Sequence, residues 1–499
     1  MTEQPQPLLS PKGIDQLRHA LTTAGFTSSG IAARLGPEAV AATSRGDHRA
    51  TLRATADRDP LATLIRLFIC GRTEPAEAVA AAFAPLPLAD AVAAELVAPD
   101  GDGLRRAVDL EPYGEDWWVV ADVPASARPG QVLPADHVLG VGGASTTLAG
   151  ATVRRPVETA LDLGTGCGVQ ALHLATHARS VTATDVSSRA LRFAATTAAL
   201  SGQSWELLQG DLGAPVAGRR FDLVVSNPPF VVGPGSTTHT YRDSGRAGDA
   251  VSAELAALTP QLLTEGGMLQ YLANWAHVAG EDWRERVAGW FAGTGCDVWV
   301  IQREVTDPLS YVNLWLGDAG QTDPDRRDAW LDWFDAHRIE AVGFGIITAR
   351  RSDRDDPVVR VEELRQPVEP PLGAQIAAWF DRQDWLRDRD VDALLDTSYV
   401  AAEGVRLRQE ATLSPEGWAV EQQVLTLPTG LRWTEPADPF IVALVGGATG
   451  QLTLRHQLTL LAAAYEASEE ELAATAATVV AHLVERGILN PVEHPAGPR

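Results

Sequence analysis

The sequence predicts an α/β protein built on a doubly wound, mostly parallel sheet, with helical modules before and after it. Three observations carry this. An apolar run from Ala160 to Leu163 enters a loop with glycine at Gly164, Gly166 and Gly168, and a helix-like pattern leaves it: strand, tight turn, helix start. Strand-like and helix-like segments then alternate from Glu158 to Thr348, which implies parallel pairing with helices on both faces. Asp185 and Asp211 close the second and third strands, at the edge where ligands of open α/β sheets bind.

At 499 residues the chain has room for two to four domains and a large core. With 45% hydrophobic and 21% charged residues it is ordinary globular material. No apolar run reaches the roughly 18 residues of a membrane span. Met1 to Lys12 is polar, without the apolar centre of a signal peptide, so a cytoplasmic location is expected. Cys70, Cys167 and Cys296 are odd in number and far apart, which fits reduced thiols rather than disulfides or a zinc site; no metal is expected. The net charge of −24 argues against broad, non-specific polyanion binding but leaves room for a local basic groove. Lys12 is the only lysine, so arginine carries nearly all positive charge and a lone arginine says little about function.

Residues 1–150 read as an N-terminal module. Helical patterns run over Gly13–Ala24, Pro37–Thr55, Pro60–Cys70, Pro75–Phe83 and Leu88–Leu96. Strand patterns at Arg105–Leu110 and Trp117–Val123 are joined by a turn at Tyr113-Gly114-Glu115-Asp116. Helices followed by a hairpin give a winged-helix-like arrangement. Arg45, Arg49 and Arg53 fall at i, i+4 and i+8 and share one predicted helix face. A solvated face is the ordinary meaning of such a pattern; a phosphate-contacting stripe is the functional one. Gly140 to Thr147 is a turn-rich loop ahead of the sheet, placed either to cap a pocket or to serve as a linker.

The sheet domain, residues 151–350, has strands at Glu158–Leu163, Ser180–Thr184, Trp205–Gln209, Phe221–Ser226, Gly267–Asn274, Cys296–Glu304 and Val342–Thr348. Helices lie at Val169–Ala178, Ser187–Leu200, Asp249–Thr264 and Glu281–Ala292, and a tryptophan-bearing helical insertion spans 307–339. Arg350–Asp356 reads as a mixed-charge boundary and Pro367–Pro371 as a linker. Residues 372–499 form a C-terminal helical, winged-helix-like module with helices at Thr453–Tyr465 and Glu469–Glu485. Its acidic bias favours packing or partner binding over a nucleic-acid surface.

The chemistry concentrates at the carboxyl edge of the sheet. The glycine loop lets a ligand approach the backbone. Asp185, about twenty residues on, can accept two hydrogen bonds from a vicinal diol. Asp211, in Gly210-Asp211-Leu212, can accept from an adenine amine, and Asn227-Pro228-Pro229-Phe230 closes the fourth strand. A dinucleotide fingerprint fails, because Val169 rather than glycine completes the Gly164-x-Gly166 pattern. His173 and His177 are spaced as in a zinc-protease helix, but Leu174 stands where that motif needs glutamate, so the pair is read as structural.

Asp162-Leu163-Gly164-Thr165-Gly166-Cys167-Gly168, Thr184-Asp185, Gly210-Asp211 and Asn227-Pro228-Pro229-Phe230 together resemble class I S-adenosylmethionine-dependent methyltransferases, with their Rossmann-like seven-stranded sheet. The tetrapeptide narrows the resemblance to the branch that methylates planar nitrogen. That branch includes adenine-N6 and guanine-N2 nucleic-acid enzymes and the release-factor glutamine methyltransferases. The resemblance covers roughly Val157 to Ala349. It implies that Asp162, Gly164, Thr165, Gly166 and Gly168 serve the methionine part of the cofactor. Asp185 would hold the ribose, Asp211 and Leu212 the adenine, and Asn227 would border both cofactor and acceptor. Asn227, Pro228, Pro229 and Phe230 would hold the acceptor nitrogen, the first two through side-chain and backbone oxygens and Phe230 by stacking. Such a nitrogen is a poor nucleophile because its lone pair is delocalised; accepting its N–H bonds turns that pair outward.

Two catalytic readings follow: a nucleic-acid base is the leading acceptor, RNA favoured over DNA, and a protein glutamine amide is the alternative. The acidic charge and the Tyr241–Asp249 loop, which loosely resembles the corresponding loop of the glutamine enzymes, favour the amide. A non-catalytic cofactor-binding scaffold is the third reading, and the intact Asn227–Phe230 speaks against it. Tyr241-Arg242-Asp243, followed by Gly245 and Gly248, is a candidate substrate lid. Trp315, Trp330 and Trp333 of the insertion suit core or lid packing better than base stacking.

Overall fold

The computed structural model describes residues 4–128, 133–235, 245–318 and 323–492. It divides into two compact units, Met1–Ala149 with Arg155–Leu364, and Gly150–Arg154 with Arg365–Arg499. No helix among the described residues is long and apolar enough to cross a membrane.

The first unit holds the sheet. Its strands are β1 (Val157–Leu163), β2 (Ala178–Asp185), β3 (Glu206–Gln209), β4 (Phe221–Ser226), β5 (Leu263–Val278), β6 (Cys296–Thr306), β7 (Ile339–Arg351) and β8 (Val359–Glu363). They lie in the order β3-β2-β1-β4-β5-β7-β6-β8. β7 runs antiparallel to β5 and β6; every other neighbouring pair is parallel. The order reverses between β1 and β4, and such a switch point opens a crevice at the carboxyl ends of the strands. β1 is paired on both sides, Leu163 standing opposite Thr184 of β2 and Ser226 of β4. Its last four residues, Ala160 to Leu163, are fully buried, which is why they read as a continuous apolar run.

Helices α1 (Val169–Leu174), α2 (Ser188–Leu200), α3 (Ala250–Leu262) and α4 (Trp283–Gly289) connect the strands. The α2 start is set by Ser187, whose side chain accepts the Ala190 N–H. α1 stops four residues short of the expected Ala178 because the chain is already extended there and pairing with β1. β5 begins four residues before the expected Gly267. Thr264-Glu265-Gly266-Gly267 reads as a turn but forms a bulge inside the strand, where the register with β4 shifts. β8 adds an eighth strand beyond the expected seven, paired with β6 from Val359 opposite Val298.

The insertion forms α5 (Pro308–Asp318) and α6 (Pro324–Ala336). Both pack on the sheet through Tyr311, Val312, Leu316, Trp330 and Phe334, against Val231, Val232 and Val342. At Gly233 a β-carbon would fall 2.9 Å from the Trp330 ring, so the chain after β4 is pressed directly onto α6. The buried Tyr311 hydroxyl accepts from Val232 N (2.8 Å) and from Asn274 Nδ2 (3.0 Å).

The N-terminal residues of this unit form helices at Pro11–Ala24, Ser28–Thr43, Arg49–Ala54, Pro60–Leu64, Ala76–Phe83 and Leu88–Ala93, a small three-stranded sheet, and a hairpin of Val108–Tyr113 with Trp117–Asp122. They pack on α2. Arg18 Nε reaches Leu200 O (2.9 Å), and Val120 N reaches Thr197 Oγ1 (3.1 Å). The expected Pro37–Thr55 helix is two helices, because a turn with Gly46 at φ 79° separates them. Arg45 lies in that turn, and Arg49 folds back on Asp47 at 2.6 Å. The three arginines therefore share no helix face, and the expected stripe is corrected on that point.

The second unit has helices at Gly373–Arg387, Val391–Leu395, Pro439–Gly447, Leu454–Tyr465 and Glu469–Glu485, the last two close to expectation. It also carries two three-stranded sheets. One contains a ribbon, Arg406–Ser414 with Gly417–Thr426, whose outer half leaves Leu413 and Trp418 exposed.

Replacing Tyr311 by Phe would leave two buried donors, Val232 N–H and the Asn274 amide, without their acceptor. Urea unfolding is expected to show a loss of about 1–3 kcal/mol; unchanged stability would mean that neither bond contributes.

Candidate active site

The crevice at the switch point is a cavity of about 870 Å³, within the range of small-molecule and cofactor sites. Its floor is the turn from β1 to α1. Gly164, Gly166 and Gly168 take φ of 77°, 55° and 93°, the left-handed region where a side chain is strained. At Gly168 a β-carbon would also strike the Trp205 ring at 2.7 Å, whereas Gly164 and Gly166 have open space beside them. That open space is the cavity.

Asp162 lies beneath this turn and does not line the cavity. Its Oδ2 accepts from Thr165 Oγ1 (2.6 Å) and Ala171 N (3.0 Å). Its buried Oδ1 has no partner among the described residues. Burial raises the carboxyl to about 7, against the two hydrogen bonds that favour its charge. Thr165 lines the cavity and donates its N–H to Thr184 O at 2.8 Å.

Asp185 ends β2 in the cavity wall. Its two carboxylate oxygens accept from Gly166 N and Ser187 N, both at 2.9 Å. Burial raises its pKa, and those N–H groups work against the rise. Asp211 and Leu212 lie after β3 on the same wall. Asp211 is more exposed and accepts from Arg246 Nη2 at 2.9 Å, while Arg246 Nε holds Glu254 at 2.5 Å.

On the other side of the switch, Ser226 Oγ donates to Leu163 O (2.7 Å) and ties β4 to β1. Asn227, Pro228, Pro229 and Phe230 follow and line the cavity. The Asn227 Oδ1 is buried and accepts no hydrogen bond among the described residues. A buried acceptor without a donor costs about 1–3 kcal/mol, so this oxygen is one that a ligand N–H would satisfy. Phe230 meets the edge of Trp315 from α5 at 6.0 Å between centroids and 71° between planes, and Leu314 and Trp315 continue the wall.

The structure thus gathers every expected site residue except Asp162 and Gly168 around one cavity, and places those two in the turn that forms its floor. Of the insertion tryptophans, Trp315 reaches the cavity and Trp330 is core. His173 bonds Tyr113 of the hairpin, Nε2 to hydroxyl, at 2.7 Å. The lid candidate Tyr241-Arg242-Asp243 lies outside the described residues. Sequence reasoning missed the opposite wall. Asp109, Glu111 and Asp122 come from the N-terminal hairpin and Arg246 from the chain after β4, while Gly140 to Ser145 span the end of a loop and the first turn of a helix, Gly143–Ala151, where the sequence suggested loop through Thr147. The available signal was acid at alternate positions of a strand, Asp109 and Glu111 each following a buried apolar residue, Val108 and Leu110.

Residues 141–281 match the family model described as methyltransferase small domain. Two models described as domains of unknown function match residues 23–107 (DUF7059) and 377–491 (DUF7782). The chain is 36% identical over 114 residues to the ribosomal RNA small subunit methyltransferase C of Alcanivorax borkumensis, covering 23% of this chain and 31% of that one. It is 48% identical over 73 residues to the release factor glutamine methyltransferase of Deinococcus radiodurans, covering 14% and 26%. The release factor glutamine methyltransferase of Salmonella typhimurium aligns over 213 residues at 29% identity, covering 39% and 72%. The chain thus spans about a third or less of the length of the first two relatives. The motif resemblance is borne out: the matched family and these relatives are methyltransferases, acting by name on ribosomal RNA or on glutamine.

The raised Asp162 carboxyl gives a pH test. Its neutral form is the one the fold favours, so its contribution is full below the ordinary aspartate value near 4 and is lost as pH rises through about 7. Urea unfolding of Asp162→Asn is expected to lose less stability than the parent between about pH 4 and about pH 8. Equal losses would mean that the folded turn keeps the carboxylate charged.

Proposed function

We propose that the chain is an S-adenosylmethionine-dependent N-methyltransferase acting on a planar amino nitrogen. The observation that carries this is the buried, unpartnered Asn227 Oδ1 in the cavity wall, three residues before Phe230. The cavity suits the cofactor. Gly164 and Gly166 leave bare backbone for the methionine part, and Asp185 presents a carboxylate to a ribose diol. Asp211 and Leu212 border the place for adenine. When bound, the cofactor supplies a methyl group on a cationic sulfur, ready for transfer.

The protein's contribution is orientation. Asn227 Oδ1 and the Pro228 carbonyl accept the acceptor's two N–H bonds and aim its lone pair into the cavity. Phe230, braced edge-on by Trp315, stacks on the planar group. The proton that leaves becomes acidic as the nitrogen gains the methyl, so no strong base is required.

A protein glutamine amide has the better support as acceptor. The cavity is lined by Asp109, Glu111, Asp122, Asp136, Asp185 and Asp211. Arg246 is the one arginine or lysine among its described lining residues, and it is already paired with Asp211 and Glu254. Asp109 and Asp122 are likewise paired, with Arg106 and Arg189, so the described lining offers a polyanion no uncommitted arginine or lysine, and the arginines that would have steered one do not share a face. A nucleic-acid base is the second reading, supported by the alignment with the ribosomal RNA enzyme.

Asn227→Ala is expected to lower turnover on the order of 10²-fold or more, the scale for a lost preorganised hydrogen bond, while cofactor affinity stays within a few-fold. Asp185→Ala is expected to weaken cofactor binding by about 1–3 kcal/mol; calorimetry showing unchanged affinity would remove Asp185 from the site. Purified protein, tritiated cofactor and lysate from cells lacking the gene separate the acceptors. Label lost to protease but not to RNase supports the amide, and label lost to RNase replaces it with RNA. Cofactor binding without any transfer would count against the catalytic reading.

A further inference from the structure

One wall of the cavity comes from outside the sheet. In the hairpin strand Val108–Tyr113, Val108 and Leu110 are buried while Asp109 and Glu111 line the cavity. The two acids differ. Asp109 is ion-paired with Arg106 Nη1 at 2.6 Å. Glu111 has no ion pair among the described residues, and its one hydrogen bond there is a long contact from Val141 N to Oε1, at 3.3 Å. Gly140 lies against both: a β-carbon there would sit 3.6 Å from Glu111 Oε1 and 3.8 Å from Asp109 Oδ2. The helix that begins three residues after Gly140, Gly143–Ala151, is tied to α1 where Gln170 Nε2 donates to Ser145 O at 2.8 Å. After burial itself, the charge of Glu111 is the largest influence raising the Cys167 thiol. Glu111 and the Gly164–Cys167 part of the turn therefore line one cavity, close enough for the charge of Glu111 to act on Cys167.

We propose that Glu111 is the counter-ion for the cofactor's α-ammonium group, so that the N-terminal hairpin completes the cofactor site. This rests on the cofactor reading of the cavity given above. The methionine end of that cofactor carries an ammonium with three N–H donors, and an uncompensated carboxylate beside bare loop backbone matches it in charge and hydrogen bonding. Burial, and then the charge of Asp109, push Glu111 up to about 7, with the Val141 N–H and then Arg106 working against the rise. Glu111 is thus partly protonated at neutral pH until a cation arrives. Asp109 and Arg106 beside it, and Cys167 on the Gly164–Gly168 turn, are the titratable or charged groups that act on it or feel its charge.

The test compares full-length parent and Glu111→Gln by calorimetry, with S-adenosylmethionine and with methylthioadenosine, which lacks the amino-acid part. The variant is expected to bind S-adenosylmethionine about 10- to 100-fold more weakly, the scale of a hydrogen bond to a charged group, and to bind methylthioadenosine like the parent. The parent is also expected to release a fraction of a proton on binding S-adenosylmethionine at pH near 7, seen as a binding heat that varies with the buffer, and the variant to release less. Equal affinity of parent and variant for S-adenosylmethionine would overturn the assignment. Equal weakening of both ligands would also overturn it, reducing Glu111 to a support for the 140–145 segment. A parent that binds neither ligand would instead overturn the cofactor reading, and the assignment with it.

Discussion

The carboxyl edge depends on one buried carboxyl group beneath a turn of left-handed backbone. Asp162 sits under the passage from β1 to α1 and holds the Thr165 hydroxyl and the Ala171 N–H with a single oxygen. Asp185 fixes the same turn from the side through Gly166 N, and the Trp205 ring against Gly168 sets its far end. Glycine is conformationally costly to order. Three glycines within five residues hold one shape here because contacts from below, beside and beyond all specify it. What they leave facing the cavity is backbone with no side chain in the way.

That geometry also explains the electrostatics. Asp109, Glu111 and Asp185 line one volume, and burial raises all three, as it raises Asp162 beneath the turn. A site that holds carboxylates at such a cost is matched to a ligand that brings positive charge. Arg246 does not change the balance, because its guanidinium is shared between Asp211 and Glu254.

The legible parts of the chain were those whose structure is local or periodic. β4 was read at Phe221–Ser226, as found, and β1 to within one residue, because buried parallel strands are unbroken apolar runs with turn residues at their ends. The site motifs were legible for the same reason, each standing at the end of such a run. The broken helix at Gly46 and the bulge at Gly266 were not, since a glycine within a pattern does not announce whether it ends an element or bends it. The exposed ribbon at 406–426 lacks the apolar face by which a strand is recognised. The hairpin wall was missed because Glu111 meets the Gly164–Gly168 turn only in three dimensions, across some fifty residues of sequence.

The acceptor side shows why an insertion far along the chain belongs to the site. Pro228 and Pro229 stiffen the tetrapeptide, yet proline has no N–H with which the segment could be anchored, and Asn227 Oδ1 is left open. Anchoring falls to the flanks. Ser226 ties the segment to β1 on one side, and on the other Val232 donates to Tyr311, which also takes the Asn274 amide of β5. α5 carries both Tyr311 and Trp315, so the helix that fixes the chain after Phe230 also braces the Phe230 ring. The Phe230 ring is thus held both by its anchored backbone and by Trp315. In the function proposed above, the orientation that transfer to a planar nitrogen requires would then be built before the acceptor binds.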